Sequence, residues 1–149
     1  GAALRNVPLR SFFKSYKSTD TAEEEFINQV SFLLPGKEDF FNFEKVSKRT
    51  HLDIASVNTA IFLKMENGMV KKAGLSAGGV GPIPLFLKKA SAYLEGRSID
   101  EILIGDLLTL LISEITPISD ARGTAEYKTL LLQQLVKAHF LKFVSSLNV

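Results

Sequence analysis

The side chains best suited to chemistry gather between residues 45 and 53. Lys45, Lys48 and Arg49 supply cations, and His51 and Asp53 follow them. The stretch from Phe40 to Val46 reads as an aromatic strand, Ser47-Lys48-Arg49 as a basic turn, and Asp53-Ile54-Ala55 as the return to the core. A strand, a basic turn and a second strand can present cations and backbone N–H groups to an anionic ligand. The plainer reading, and the commoner one for a short charge run, is a hairpin with a solvated loop. His51 and Asp53 invite comparison with an acid–base pair, but residues two apart across a turn need not face each other.

Other clusters carry less. Asp120, Arg122 and Glu126 match the chemistry of a loop-to-helix entry, where such residues serve as caps and surface ion pairs. Gly78-Gly79-Val80-Gly81-Pro82 lacks the Lys-Ser/Thr of a P-loop and the spacing of a dinucleotide fingerprint, so it reads as a tight turn. No nucleophile stands beside a base. With no Cys there is no thiol nucleophile, disulfide or thiolate-held cluster in these residues, and a reducing cytoplasm is the expected setting. The two His residues, His51 and His139, have no metal-ligand partner at helical or hairpin spacing.

The elements that must position these groups follow from periodicity. A length of 149 residues suggests one domain, or one domain plus a borrowed segment, and 46% apolar residues suffice for a core filled by Phe, Leu and Ile. A formal charge of +2 is too small to imply nucleic-acid binding, and no apolar run reaches the length of a membrane span. Phe12, Phe13 and Tyr16 fit one helical face, Ser18 to Glu25 a polar linker, and Phe26 to Leu34 a strand ended by Pro35-Gly36. In the aromatic strand, Phe41, Phe43 and Lys45 share one face, with Phe40, Asn42, Glu44 and Val46 on the other. Ile54 to Met65 is a second strand with Val57, Thr59, Ile61 and Leu63 on one side. Asn67-Gly68 is a hairpin turn, so Met69 to Ala77 returns antiparallel.

Three helices are expected after the sheet. Pro84 opens the first, with Phe86, Ala90, Tyr93 and Leu94 as its buried stripe and Gly96 as its stop. Ser98 caps the second with Glu101 as the reciprocal partner, and Gly105 divides it. Thr124 caps the last, which runs to about Ser145 with a stripe of Tyr127, Leu131, Leu135, Ala138 and Leu141. The predicted fold class is α+β: a three- to four-stranded antiparallel sheet packed beside a three-helix bundle.

The order of motifs carries further than their chemistry. Val7-Pro-Leu, Phe12-Phe13, Glu25-Phe-Ile, Phe43-Glu-Lys-Val-Ser-Lys-Arg49, Leu52-Asp-Ile-Ala55, Gly78-Gly-Val80 and Pro117-Ile-Ser-Asp-Ala-Arg-Gly-Thr-Ala-Glu-Tyr-Lys128 fall in one series. This series resembles the C-terminal part of the FAD-binding subunit of molybdenum hydroxylases, the family of xanthine dehydrogenase and carbon monoxide dehydrogenase. The resemblance implies the same α+β fold. It also implies a role in enclosing the FAD that passes electrons from iron–sulfur clusters to NAD or another acceptor. The partners it implies are an upstream FAD-binding domain and the iron–sulfur and molybdopterin domains or subunits. Residues 1–27 then correspond to the tail of the preceding domain and a linker, and 28–149 to the C-terminal domain. The family's flavin-contacting lysine falls on Lys45, an apolar flavin contact on Ile27, and the family's Asp-Ile-Ala on Asp53. The phosphate-holding glycine segments of the upstream domain have no counterpart in these residues. The alternative is a non-catalytic interaction domain that kept the fold without the cofactor.

Overall fold

A computed structural model describes residues 4–147. Its elements run α1 (Leu9–Phe12), β1 (Phe13–Ser15), β2 (Ser18–Thr19), β3 (Asp39–Val46), β4 (Val57–Glu66), β5 (Met69–Gly78), β6 (Leu85–Phe86), α2 (Lys88–Leu94), α3 (Glu101–Ile112) and α4 (Ala125–Ser146). The strands β3-β4-β5-β6 form an antiparallel meander, each strand beside the next in sequence. Helix α2 packs on β5 and α4 on β3 and β4, with α3 against both helices, and the covered sheet face is apolar because alternate strand residues point to it.

The alternation predicted for β4 holds, and β5 alternates beyond a register shift between Val70 and Lys72. Val57, Thr59, Ile61 and Leu63 of β4 are buried, and Val70, Ala73, Leu75 and Ala77 of β5 join them. In β3, Phe41 and Phe43 are exposed on the face away from the helices, while Phe40 packs edge-to-face on Phe143 of α4. The β4–β5 hairpin turns at Asn67 (φ 53°) and Gly68 (φ 76°), the positive pair that a two-residue turn requires. The loop between β5 and β6 passes Gly79 (φ 84°), where a Cβ would lie 2.3 Å from the Ser56 carbonyl oxygen, so only glycine fits.

Several local expectations are corrected. Phe26 to Leu34 forms no strand; Phe26, Val30, Phe32, Leu33 and Leu34 are all exposed. Among the described residues this run has no neighbouring strand to take its backbone N–H and C=O groups, and apolar composition alone cannot make a ladder. Phe12 and Phe13 do not continue a helix. The chain leaves a single helical turn at Phe13 and folds into a small hairpin, turning at Lys17 with φ 57°. Arg5 ties this N-terminal segment together through Asp20 and Glu25, and it holds the Glu25 carboxyl down to about 2.

Pro84 starts an edge strand rather than a helix, because Leu85 and Phe86 pair with Ala77 and Ser76 before α2 begins at Lys88. The cap of α3 is Asp100, whose carboxylate accepts the Leu103 N–H at 2.7 Å, and not Ser98. Gly105 does not divide α3, since its neighbours carry the ladder past it on an exposed side. Thr124 caps α4 as expected, but the buried stripe there is Lys128, Leu132, Leu135, Val136, His139, Phe140 and Phe143. Tyr127 and Leu141 face outward, because the buried side of α4 carries a lysine and a histidine that hydropathy assigns to solvent.

Candidate functional site

Lys45 sits at the end of β3 on the sheet face that the helices leave open. Its neighbours across that face are Asn58 of β4 and, one strand further, Gly78 of β5. A Cβ on Gly78 would lie 2.9 Å from the Asn58 amide nitrogen, so the Asn58 side chain lies flat across the glycine. The next row is Phe43, Ala60, Ser76 and Phe86, small in the middle and aromatic at both ends. Arg10 of the N-terminal segment stacks on the Phe86 ring with its guanidinium carbon 3.7 Å from the centroid, fixing that segment to the rim of the open face.

The basic turn is longer than its sequence suggests. β4 begins at Val57, so residues 47–56 form one loop. Asp53 organises it. One carboxylate oxygen accepts the Arg49 N–H at 2.9 Å, and the other accepts the Ile54 N–H at 2.9 Å. Lys45 Nζ donates to the Asp53 carbonyl oxygen at 2.7 Å, and the Ser47 hydroxyl donates to the Arg49 carbonyl at 2.8 Å. The Arg49 N–H, with the Arg49 charge and the Ile54 N–H behind it, holds the Asp53 carboxyl below the usual carboxylate range. These bonds explain why Asp53-Ile54-Ala55 is loop and not strand: the aspartate spends its oxygens on its own turn.

The outcome is a loop held from within that displays its apolar side chains outward. Leu52 is fully exposed with φ 49°, and Ile54 is exposed beside it. A non-glycine residue at positive φ is strained, and such strain is held only where neighbouring bonds impose it. An open depression along the near side is lined by Lys45, Val46, Ser47, Lys48, Arg49 and Thr50.

Of the residues singled out from sequence, the structure brings Lys45 and Asp53 into direct contact. Ile27 lies elsewhere in the chain, exposed in the irregular stretch before β3. His51 is exposed, and Asp53 gives its carboxylate to backbone rather than to His51. The Asp120 and Arg122 pair is a turn: the Asp120 carboxylate accepts the Arg122 N–H at 2.8 Å and meets the buried Lys128 ammonium at 2.9 Å. Among the described residues no group of three His, Cys, Asp or Glu side chains could hold a metal ion. No helix among them is long and apolar enough to cross a membrane.

Two residues that sequence reasoning missed prove central. Ser56 is buried at the base of the loop, with its hydroxyl donating to the Arg122 carbonyl at 2.9 Å. Nothing in its sequence context marks it. His139, fully buried, bridges Asn42 of β3 and Thr59 of β4, a partnership across 97 and 80 residues that local spacing cannot reveal.

Comparison with known proteins agrees with this architecture. Residues 43–143 match the model of the CO dehydrogenase flavoprotein C-terminal domain. The chain is 27% identical over 136 residues to the glyceraldehyde dehydrogenase medium chain of Sulfolobus acidocaldarius, covering 91% of this chain and 48% of that one. It is 26% identical over 145 residues to xanthine dehydrogenase 1 of Arabidopsis thaliana, covering 94% of this chain and 10% of that one. It superposes with a TM-score of 0.85 on carbon monoxide dehydrogenase from Hydrogenophaga pseudoflava, at 26% identity, over 90% of this chain and 46% of the matched one. The chain thus spans about half the length of the medium chain it matches, or a small part of a larger enzyme. Since residues 43–143 are more than half of the chain and run from within β3 to within α4, the chain belongs to the CO dehydrogenase flavoprotein C-terminal domain family.

Proposed function

We propose that this chain is the C-terminal portion of the FAD domain of a molybdenum hydroxylase of the xanthine dehydrogenase type, closing one side of a flavin held mainly by the preceding domain. The family match over residues 43–143 carries this reading. It is supported by the position of Lys45 on the sheet face that the helices leave open. The donor set fits the group. One of the ammonium's three donors is spent on the Asp53 carbonyl, and the cation favours an anionic edge such as that of a reduced flavin. The floor of Ala60 and Ser76 beside it, with the Asn58 amide lying flat over Gly78, is low enough for a planar group to approach. When bound, FAD supplies the redox chemistry, and the protein supplies placement and electrostatics.

In this reading Lys45 holds the flavin edge, Asp53 keeps the Lys45 ammonium and the loop backbone in place, and Ile27 adds an apolar contact. The domain division follows: residues 1–27 are the tail of the preceding domain and 28–149 the C-terminal domain. Iron–sulfur clusters and molybdopterin reside in partner domains or subunits, electrons leave for NAD or another acceptor, and the setting is the cytoplasm.

The test is flavin retention, measured by absorbance after gel filtration. The chain alone should retain little or no FAD, and stoichiometric yellow flavin on it would refute a site shared with a preceding domain. With the preceding domain joined, Lys45→Ala should weaken retention several-fold, and unchanged retention would remove Lys45 from the site. If the joined protein binds no flavin at all, the non-catalytic interaction domain becomes the better reading.

A further inference from the structure

We infer that Ser56 is a positioning residue for the flavin-side loop, the pin of a clasp that fixes residues 47–55 relative to Lys45. The inference rests on the flavin reading above for its purpose, but its geometry stands apart from it. Three segments far apart in sequence meet at this one residue. The Ser56 N–H donates to the Val46 carbonyl at 2.8 Å and closes the neck of the loop one step beyond the last β3–β4 pair. The Ser56 hydroxyl donates to the Arg122 carbonyl at 2.9 Å. The Ser56 carbonyl lies so close to Gly79 that any Cβ there would collide with it. All three of its polar groups thus face another segment, and the residue is 2% exposed.

The Arg122 carbonyl is itself held by a stiff knuckle. Asp120 and Gly123 exchange backbone hydrogen bonds at 3.0 and 3.1 Å. The Asp120 carboxylate takes the Arg122 N–H and the Lys128 ammonium, and Lys128 also donates to the Ile118 carbonyl at 2.8 Å. The Ser119 hydroxyl accepts the Ala125 N–H at 3.0 Å at the start of α4. The Thr116 N–H donates to the Val80 carbonyl at 2.9 Å, which ties this connection to the glycine turn as well. The Ser119–Lys128 motif thus aims one carbonyl, that of Arg122, at one hydroxyl, that of Ser56. Asp53 orders the loop internally through Arg49 and Ile54, and the Lys45–Asp53 bond ties it to β3; a tie to a second segment is what fixes its place relative to the helical side. Ser56 supplies it.

The experiment is amide hydrogen exchange on the chain, read at Arg49 and Ile54, for wild type, Ser56→Ala and Ser91→Ala. Ser91 is the control because it is an equally buried hydroxyl with two hydrogen bonds, to the Leu75 N–H and the Leu87 carbonyl, remote in sequence from the loop. Ser56→Ala should speed exchange at Arg49 and Ile54 by about fivefold to tenfold, the effect of one lost hydrogen bond. Ser91→Ala should lower global stability and leave those two amides unmoved. Equal effects of the two substitutions, or unchanged loop exchange in Ser56→Ala, would overturn the clasp. In the protein joined to its preceding domain, Ser56→Ala should also weaken flavin retention with Lys45 intact. Retention unchanged while the loop exchanges faster would overturn the link from clasp to flavin. Failure of the flavin reading itself shows differently, as a joined wild-type protein that binds no flavin whatever the loop amides do.

Discussion

The His139 Nε2 of α4 lies 2.7 Å from the Thr59 hydroxyl of β4, with both residues fully buried. On its other side the ring meets the Asn42 amide nitrogen, Nδ1 to Nδ2, at 2.7 Å, and that amide also donates to Glu44 at 2.8 Å. An amide that donates to Nδ1 requires the ring to be neutral with its proton on Nε2, directed at Thr59.

This contact makes the fold acid-sensitive. Burial pushes the His139 pKa from 6.5 to about 4, while the Glu44 carboxylate opposes the shift and the Lys142 ammonium adds to it. Because the unfolded chain takes up this proton first, the stability contributed is full above the ordinary histidine value and is lost as pH falls through the window to about 4. The expected loss between pH 7 and pH 4 is on the order of 3 kcal/mol from this group. Urea unfolding at several pH values should show it, and His139→Gln should flatten the slope across that window. Glu44, held below the carboxylate range by Lys142 and then Asn42, adds its own loss only at lower pH.

Two glycines at positive φ should respond differently to alanine. At Gly68 nothing lies within 4 Å of a built Cβ, so Gly68→Ala carries backbone strain alone, about 1 kcal/mol. At Gly79 the Cβ would meet the Ser56 carbonyl, so Gly79→Ala must move backbone at the loop neck and should cost at least about 2 kcal/mol. Similar midpoints for the two variants in equilibrium denaturation would contradict the close approach.

Lys128 is almost fully buried and holds the turn from Ile118 to Asp120. Lys128→Met keeps the packing but takes the ammonium from the Ile118 carbonyl and from the Asp120 carboxylate, which then keeps only the Arg122 N–H. The Tm should fall by about 5 °C, measured by calorimetry. A stability equal to wild type would show that the ammonium is replaceable there.

The stripe of α3 separates neighbours sharply. Leu107 is fully buried and Ile102 is 78% exposed. Leu107→Ala should cost about 3 kcal/mol, and Ile102→Ser should stay within about 0.5 kcal/mol. Comparable losses in denaturant titrations would mean that the outward face of α3 is covered in the folded protein.

The strand pattern of β4 and β5, the turn at Asn67-Gly68 and the cap at Thr124 were legible because each depends on neighbours within a few residues. Asn-Gly turns on its own backbone preference, and Val57, Thr59, Ile61 and Leu63 alternate without reference to their partners. Lys45 was legible as a residue on the same strand face as Phe41 and Phe43, since parity along a strand needs no knowledge of the fold. The run from Phe26 to Leu34 misled for the converse reason. Its composition suits a strand, but a strand requires a partner edge, and composition does not contain one.

By itself the amino-acid sequence determined the α+β class, the order of β3, β4 and β5 followed by three helices, and the placement of Lys45 beside a basic loop. Only the tertiary structure decided that the loop runs to Ser56, that Asp53 folds back on Arg49 and Ile54, and that α4 buries His139 and Lys128. The physical reason is distance along the chain. A buried histidine or lysine is tolerable only where partners satisfy it, and those of His139 lie 97 and 80 residues away. Ser56 is decided in the same way, because its role depends on an Arg122 carbonyl 66 residues downstream that only folding brings to it.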